Sequence, residues 1–351
     1  MRICSLLPSA TEMIAQLGLT DSLVGVSEEC RWPPEVVGKP VVIAAKLDPS
    51  ALSSLDIDRA VREAVREGRS LYSVDADLID ELRPDLIVTQ DLCAVCAVSS
   101  GELATACPIG AEVLSLDPHT LHDVAETVRT LAARLDAADR GEEIVREMWT
   151  KIDSVGLAVR GLPRLRVFVA EWIDPPFSAG HWLPEMVELA GGSDVLGQAG
   201  QPSYETTWEQ VLESEPELVV IAACGFDADE AAERSAGLRL PCRAVAVDAD
   251  GYYSRPAPRL ADGVQQLGSL LHPDVVPDPG LPAIELQPAS PQAQVIGEPD
   301  QGRRGSDDPP LSDALRVSVV AKLAGKTARN DYRAGAPRTR PATSSVHSPT
   351  G

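Results

Sequence analysis

A seven-residue pattern occurs twice in this chain and constrains its fold more than any other feature. The first copy is Leu82-Arg-Pro-Asp-Leu-Ile-Val88, and the second copy is Ser214-Glu-Pro-Glu-Leu-Val-Val220. Each copy predicts the end of a short helix, a proline that stops it, and then a strand buried on both faces. A unit that recurs once at this separation predicts two similar α/β lobes, and two lobes enclose a cleft where a ligand can bind.

The periodicity of the remaining chain predicts an α/β fold with two Rossmann-like lobes, whose parallel sheets are joined by a long helix. We assign residues 1–118 to the N-terminal lobe, residues 119–163 to a helical linker that contains the long helix, and residues 164–272 to the C-terminal lobe. Residues 273–351 are rich in Pro, Ser, Gly and Ala without sustained periodicity, which predicts a disordered tail.

The net charge of −22 lies in residues 1–272, because residues 273–351 carry equal numbers of acidic and basic side chains. An acidic surface argues against nucleic acid as a partner, since phosphates need basic side chains. No apolar run reaches membrane-spanning length, and a first strand that begins at Arg2 leaves no room for a signal peptide. We therefore expect a cytoplasmic monomer that does not span a membrane. A misassigned start site would make it periplasmic or cell-surface instead.

Sequence motifs for catalysis are missing. We find neither a Gly-rich phosphate loop nor a nucleophile elbow. Carboxylates predicted near the cleft (Glu28, Glu29, Glu171 and Asp174) are suited to acid–base chemistry, but acidic residues are abundant throughout the lobes. We therefore do not expect an enzyme.

Aromatic side chains are concentrated where a ligand is expected to bind. In parallel α/β sheets that place is the edge formed by the carboxyl ends of the strands. Eight of the 13 aromatic residues follow a predicted strand: Trp32, Trp172, Phe177, Trp182, Tyr204, Phe226, Tyr252 and Tyr253. Rings at a cleft suit a large, flat, partly apolar ligand, and packing over the sheet edge is the alternative. Pro175, Pro176 and Gly180 stiffen a loop that can hold Phe177 and His181 toward the cleft.

Several of these segments, in order along residues 2–272, resemble the substrate-binding proteins of ABC importers for cobalamin and iron chelates. The segments include Leu6-Leu-Pro-Ser-Ala-Thr-Glu12, Trp32-Pro-Pro34, Asp174-Pro-Pro-Phe-Ser-Ala-Gly180 and Ser254-Arg-Pro-Ala-Pro-Arg259. The resemblance implies a class III periplasmic-binding-protein fold with little hinge motion. It also implies non-catalytic binding of cobalamin, a related corrinoid or a metal chelate between the lobes, with no required cofactor.

The resemblance further implies roles for individual residues. Carried over by position, Trp32, Phe177, Tyr204 and Tyr252 contact the ligand ring, and the loop that holds Phe177 adds His181 and Trp182 to the predicted ligand site. Docking onto an ABC permease is implied for one surface glutamate in each lobe, Glu102 and Glu209. Ordinary solvated charge on a helix is the alternative for each glutamate.

Cysteine placement supports a competing hypothesis. Cys30, Cys93, Cys96 and Cys224 all fall in loops at predicted strand ends, on the same side as His181. Thiolates and imidazoles are ligands for soft and borderline metals. The alternative function is therefore a cytoplasmic metal- or cofactor-handling protein that uses Cys30, Cys93, Cys96 and His181. Reduced thiols packed near the cleft, or a redox pair formed by Cys93 and Cys96, would explain the same placement.

Overall fold

The computed structural model describes residues 1–90 and 110–287, which form two lobes that are each built on one sheet. In the first lobe the strand order is β4-β3-β2-β1-β5-β6, and every pair is parallel except β3 with β4. Its strands are β1 Ile3–Ser5, β2 Leu23–Ser27, β3 Val41–Ala45, β4 Tyr72–Val74, β5 Leu86–Thr89 and β6 Glu112–Ser115. Its helices are α1 Pro8–Gln16, α2 Ser54–Arg66 and α3 Ala76–Leu82.

The second lobe repeats this architecture. Its sheet has the order β12-β11-β10-β7-β8, with β9 also paired to β7, and only β8 and β12 run antiparallel to their neighbours. Its strands are β7 Leu165–Ile173, β8 Pro176–Ser178, β9 Gly192–Asp194, β10 Leu218–Ile221, β11 Arg243–Val247 and β12 Ala283–Glu285. Its helices, numbered after the two linker helices α4 and α5, are α6 Leu183–Leu189, α7 Trp208–Glu213, α8 Ala228–Arg234, α9 Ala249–Tyr252 and α10 Leu260–Leu271.

Both copies of the repeated segment form the same local structure. In each copy a short helix ends, the chain turns, and a strand of four buried residues follows, β5 in the first lobe and β10 in the second. The turn residue before each proline has a left-handed backbone, with φ of 43° at Arg83 and 48° at Glu215. The prediction of two related α/β lobes with mostly parallel sheets is confirmed.

An arginine at the start of the neighbouring strand completes each turn. Arg2 donates from Nη2 to the carbonyl oxygen of Leu82 at 2.7 Å, and Arg166 donates from Nη2 to the carbonyl oxygen of Ser214, which holds the same position in the second copy. The last carbonyls of a helix lack partners within the helix, and a cation there also interacts favourably with the helix dipole. The repeat therefore extends beyond the seven residues that are similar in sequence.

Two linker helices connect the lobes, α4 Leu121–Arg134 and α5 Ala138–Ala158. The 21 residues of α5 span about 30 Å at 1.5 Å per residue. Ile144 and Val145 of α5 pack into the core of the first lobe, and Ile152 and Val155 pack into the core of the second. The long helix is therefore buried by both lobes at once. Within the described ranges, no helix combines the length and apolarity that crossing a bilayer requires.

Two local predictions are wrong. The spacing of Ser9 and Glu12 predicts a capping box, but α1 begins at Pro8, one residue before Ser9, and Leu7 at the N-cap offers no side-chain hydrogen bond. The disordered tail predicted from residue 273 is wrong for Ala283–Glu285, which pairs with β11 as an antiparallel edge strand. This strand is too short to show a clear period of its own. Residues 288–351, the rest of the predicted tail, lie outside the described residues.

A glycine in α10 fixes the position of α9. A Cβ built on Gly263 would lie 2.3 Å from the carbonyl oxygen of Tyr252 and 2.8 Å from Cε of Met186. Because the first of these atoms belongs to the backbone, the two helices would have to separate. We expect Gly263→Ala to lower the free energy of unfolding by about 1–3 kcal/mol, measured by urea denaturation.

Gly237→Ala is the matched control for this substitution. Gly237 has no described atom within 4 Å of a built Cβ, and its φ lies outside the left-handed region. We expect this variant to be neutral or stabilising by less than about 1 kcal/mol. Equal stability of the two variants would contradict the close approach of α9 and α10.

Candidate functional site

The cleft between the lobes contains two adjoining hollows. The Glu29 hollow encloses about 600 Å³, including its solvent-filled mouth, and the His181 hollow encloses about 440 Å³ on the same basis. The two hollows share a wall made of Cys224, Ser254 and Pro256. A ligand larger than either hollow can therefore contact both.

The ends of the parallel strands supply most of the lining. The first lobe contributes residues 6–9 after β1, Glu29 after β2 and Gln90 after β5. The second lobe contributes Cys224 after β10 and residues 250–256 after β11. This is the edge where open α/β sheets bind ligands. The strand ends were predictable, but Gln90 was not singled out, because one glutamine carries no motif.

The Glu29 hollow is acidic at its polar end. Glu29 is 9% exposed, and its burial, together with the nearby Asp250 carboxylate, raises its pKa to about 7. Among the described residues its Oε1 atom has no hydrogen-bond partner. Arg255 does not reach that atom, since its Nη2 donates to the backbone carbonyl of Glu29 at 3.2 Å and to Oδ2 of Asp250 at 2.7 Å. Arg255, the one arginine among the described residues that line this hollow, is thus already paired.

The His181 hollow is built around a buried carboxyl. Glu171 Oε1 accepts from the backbone N–H of Gly180 at 2.8 Å, and burial raises the pKa of Glu171 to about 7. Only glycine fits at position 180, because a built Cβ would lie 2.2 Å from the backbone nitrogen of Ser203. The next residue, His181, has a left-handed φ of 50° and is buried at the hollow. Trp182 lines the hollow beside it.

The other four predicted ligand contacts lie outside these two hollows. Phe177 is 7% exposed in β8 and belongs to the core that both lobes share. Tyr204 is half-buried and donates from its hydroxyl to the carbonyl oxygen of Leu196 at 2.9 Å. Trp32 of the first lobe and Tyr252 of the second both contact the same guanidinium group. Ligand contact by these residues stays a prediction.

That guanidinium belongs to Arg259, which sequence reasoning did not single out. Its Cζ atom lies 4.5 Å from the ring centroid of Trp32 and 5.3 Å from that of Tyr252. Its Nη2 atom lies 2.8 Å from Oε2 of Glu12, whose side chain is 1% exposed. Trp32 and Glu12 belong to the first lobe and Arg259 to the second, so this contact joins the two lobes beside the cleft. The Ser254–Arg259 motif was the available signal.

The structure bears on only part of the metal-site hypothesis. Cys30 is buried, its sulfur lies 3.0 Å from Oγ1 of Thr11, and burial raises its thiol pKa to about 11. A thiol that holds its proton this tightly is a poor metal ligand at neutral pH. Within residues 1–90 and 110–287 there is no group of three or more potential metal-ligating side chains. Cys93 and Cys96 lie outside the described residues.

The structure describes one of the two predicted docking glutamates. Glu209 is exposed in the first turn of α7, where hydrogen bonds from the backbone and from Thr207 lower its pKa. Glu102 lies outside the described residues. Docking through either glutamate stays a prediction.

The raised pKa of Glu171 makes stability depend on pH. The folded protein holds this proton more tightly than the unfolded chain, whose glutamates titrate near 4.5. The free energy of unfolding therefore falls as pH rises from 5 to 8, by up to about 3 kcal/mol for this group. Glu171→Gln keeps an acceptor for Gly180 and should lessen this slope in urea denaturation, while the exposed Glu213→Gln should not. An unchanged slope in Glu171→Gln would contradict the assignment.

Comparison with known proteins adds relatives for both the sequence and the fold. The vitamin B12-binding protein of Vibrio cholerae is 24% identical over 277 residues, covering 77% of this chain and 88% of that protein. The vitamin B12-binding protein of Pectobacterium atrosepticum is 26% identical over 284 residues, with the same two coverages of 77% and 88%. The chain thus spans most of each relative.

Solved structures show the same fold. The periplasmic heme binding protein from Pseudomonas aeruginosa superposes with a TM-score of 0.61 at 17% identity, covering 82% of this chain and 99% of that one. The periplasmic vitamin B12 binding protein of Vibrio cholerae superposes with a TM-score of 0.54 at 22% identity, covering 76% and 95%. Both are periplasmic by name, so the expectation of a cytoplasmic protein finds no support among these relatives.

A family profile decides the assignment. The profile described as "Periplasmic binding protein" matches residues 3–239, which is more than half of the 351 residues and includes the linker helices and most of both lobes. The chain belongs to the periplasmic binding protein family, whose members are non-catalytic solute-binding proteins.

Proposed function

We propose that this protein captures cobalamin or a related corrinoid in the cleft between its lobes and delivers it to an ABC importer. The cleft supports this proposal because it lies at the ligand-binding edge of both sheets and has room for contacts on two sides. The curated relatives described above are named for vitamin B12. Relatives in fold alone are named for heme and for Fe3+-hydroxamate transport, so the ligand has to be argued from the site.

The charge of the cleft lining distinguishes between a corrinoid and heme as the ligand. Glu29, Asp250 and Glu171 line the two hollows, while Arg255, the arginine in the same lining, is paired with Asp250. Burying a ligand carboxylate against such a wall would be costly without a free cation to pair with it. A corrinoid meets this wall with neutral amide side chains, whereas heme carries two carboxylates. The acidic lining therefore favours a corrinoid over heme.

Calorimetric titration of the purified protein tests the proposal. We expect cyanocobalamin to bind with a Kd below about 10 μM, equivalent to about −7 kcal/mol. Hemin should bind at least about tenfold more weakly, because its carboxylates meet Glu29 and Asp250. A ferric hydroxamate titrated under the same conditions serves as the iron-chelate comparison. Absence of cyanocobalamin binding, or preferential binding of hemin, would contradict the proposal.

Docking onto the importer is the second part of the proposal. Glu209 is exposed on α7 and is free to meet an arginine of a permease, as Glu102 would be if the docking prediction holds for both lobes. We expect Glu209→Lys to lower ligand-dependent stimulation of the importer ATPase while leaving the ligand Kd unchanged. An exposed ion pair contributes about 0–1 kcal/mol, so the loss from one pair is about fivefold at most. Charge reversal can add repulsion to that loss.

Glu213→Lys is the matched control, because Glu213 is also exposed and lies at the other end of α7. It changes the net charge by the same amount without altering position 209. An equal loss of stimulation in both variants would indicate a general charge effect and contradict docking through Glu209.

A further inference from the structure

Two buried polar atoms without hydrogen-bond partners among the described residues belong to side chains that line the cleft. Seven buried side-chain nitrogen or oxygen atoms lack a hydrogen-bond partner among the described residues. Only two of them belong to residues that line the hollows, Oε1 of Glu29 and Nε2 of Gln90. Burying a polar atom without a partner costs about 1–3 kcal/mol, and most such atoms in folded proteins are paired. Two of them at one ligand site indicate that the ligand supplies their partners.

The two atoms have complementary chemistry. Gln90 is 2% exposed, lines the His181 hollow, and its Nε2 can only donate. Glu29 lines the adjoining Glu29 hollow, and its Oε1 accepts when the carboxyl is ionised. A primary carboxamide offers an N–H donor and a carbonyl acceptor within one group. A ligand with several carboxamides on its rim can therefore satisfy both atoms.

We propose that Glu29 and Gln90 determine ligand specificity by hydrogen bonding to neutral carboxamides on the rim of the ligand, Glu29 to an amide N–H and Gln90 to an amide carbonyl. This inference rests on the proposed function and names the side chains that recognise the ligand. An analogue with a carboxylate in place of the amide at Glu29 loses the donor and brings two negative charges together. A site built to bond an N–H rejects a ligand that lacks it, because its own buried group is left unpaired.

The charges around Glu29 make this selection depend on pH. Asp250 and Glu28 raise its pKa, Arg255 and Arg31 lower it, and burial has the largest effect, so that the carboxyl titrates at about 7. At pH 8 Glu29 is mostly ionised and repels a carboxylate. At pH 6 it is mostly protonated and can donate to one. Discrimination between amide and carboxylate should therefore be larger at pH 8 than at pH 6.

The experiment compares cyanocobalamin with its monocarboxylates, in which one propionamide is hydrolysed, each isomer titrated separately by calorimetry. For at least one isomer we expect the wild-type protein to prefer the amide by about tenfold or more at pH 8 and by less at pH 6. Glu29→Gln should bring that ratio to within about threefold at both pH values. Gln90→Leu should weaken cyanocobalamin binding by about two- to tenfold, since one hydrogen bond is lost.

Stability measurements separate ligand recognition from a structural role. Glu29→Gln is nearly isosteric, and Gln90→Leu removes a buried group that has no partner, so neither should lower the Tm. Glu35→Gln, an exposed carboxylate of the same lobe, is the control and should leave both the ratio and the Tm unchanged.

The outcomes distinguish this inference from the proposed function. Cyanocobalamin binding with a ratio that is equal in wild type and Glu29→Gln would overturn the inference and leave the function standing. An equal change of the ratio in Glu35→Gln would also overturn it, since a distant charge would then suffice. Failure of the wild-type protein to bind cyanocobalamin would overturn both.

Discussion

The contact of Arg259 with the first lobe is the interaction on which the cleft depends. Its guanidinium lies against the rings of Trp32 and Tyr252 and forms an ion pair with Glu12 at 2.8 Å. Burial raises the pKa of Glu12, while the charge of Arg259 and its hydrogen bond lower it. Leaving such a carboxylate unpaired would be costly, so the pair holds the lobes in one arrangement. Fixed lobes keep the two hollows side by side and let one ligand contact both.

Apolar packing supports the same arrangement elsewhere along the interface. Trp172 of the second lobe donates from its indole Nε1 to the carbonyl oxygen of Ser54 in the first at 3.3 Å, within a core to which both lobes contribute. Helix α5 packs its apolar face against the cores of both lobes. These contacts agree with the sequence-based expectation of little hinge motion, although hinge motion itself stays a prediction.

The fold was predictable where the information is local. Apolar periodicity and prolines marked the strands, and the repeat of residues 82–88 at 214–220 marked the two lobes, because buried parallel strands need unbroken apolar runs. The capping box at Ser9 was mispredicted because α1 begins one residue earlier, at Pro8, a residue that is well suited to the first position of a helix. Phe177 was expected in a loop, but it forms the antiparallel strand β8 with β7. This pairing is local, Trp172 with Phe177, but Pro175 and Pro176 were interpreted as a loop. The ion pair between Glu12 and Arg259, 247 positions apart, is a pairing between distant residues and leaves no periodic signal in either segment.

The site was also predictable only where the information is local in the sequence. His181 and Trp182 were predicted from a loop of prolines and glycine, and both line a hollow. Glu29 was noted only as one carboxylate among many, and Gln90 and Arg255 were not singled out. Their importance comes from burial and from the partners they have or lack, which depend on how the lobes meet. Aromatic residues stand out in a sequence because they are scarce, whereas a buried polar group is visible only once the surrounding chain has folded.

A double-mutant cycle on Glu12 and Arg259 tests the central claim most directly. Glu12→Gln, Arg259→Met and the double variant would be compared with wild type by urea denaturation at pH 7. If the pair holds the lobes, each single variant leaves a buried polar group mismatched, and the coupling free energy should be at least about 1 kcal/mol. Additive effects, with a coupling within about 0.3 kcal/mol of zero, would show that the two residues act independently and would contradict the account.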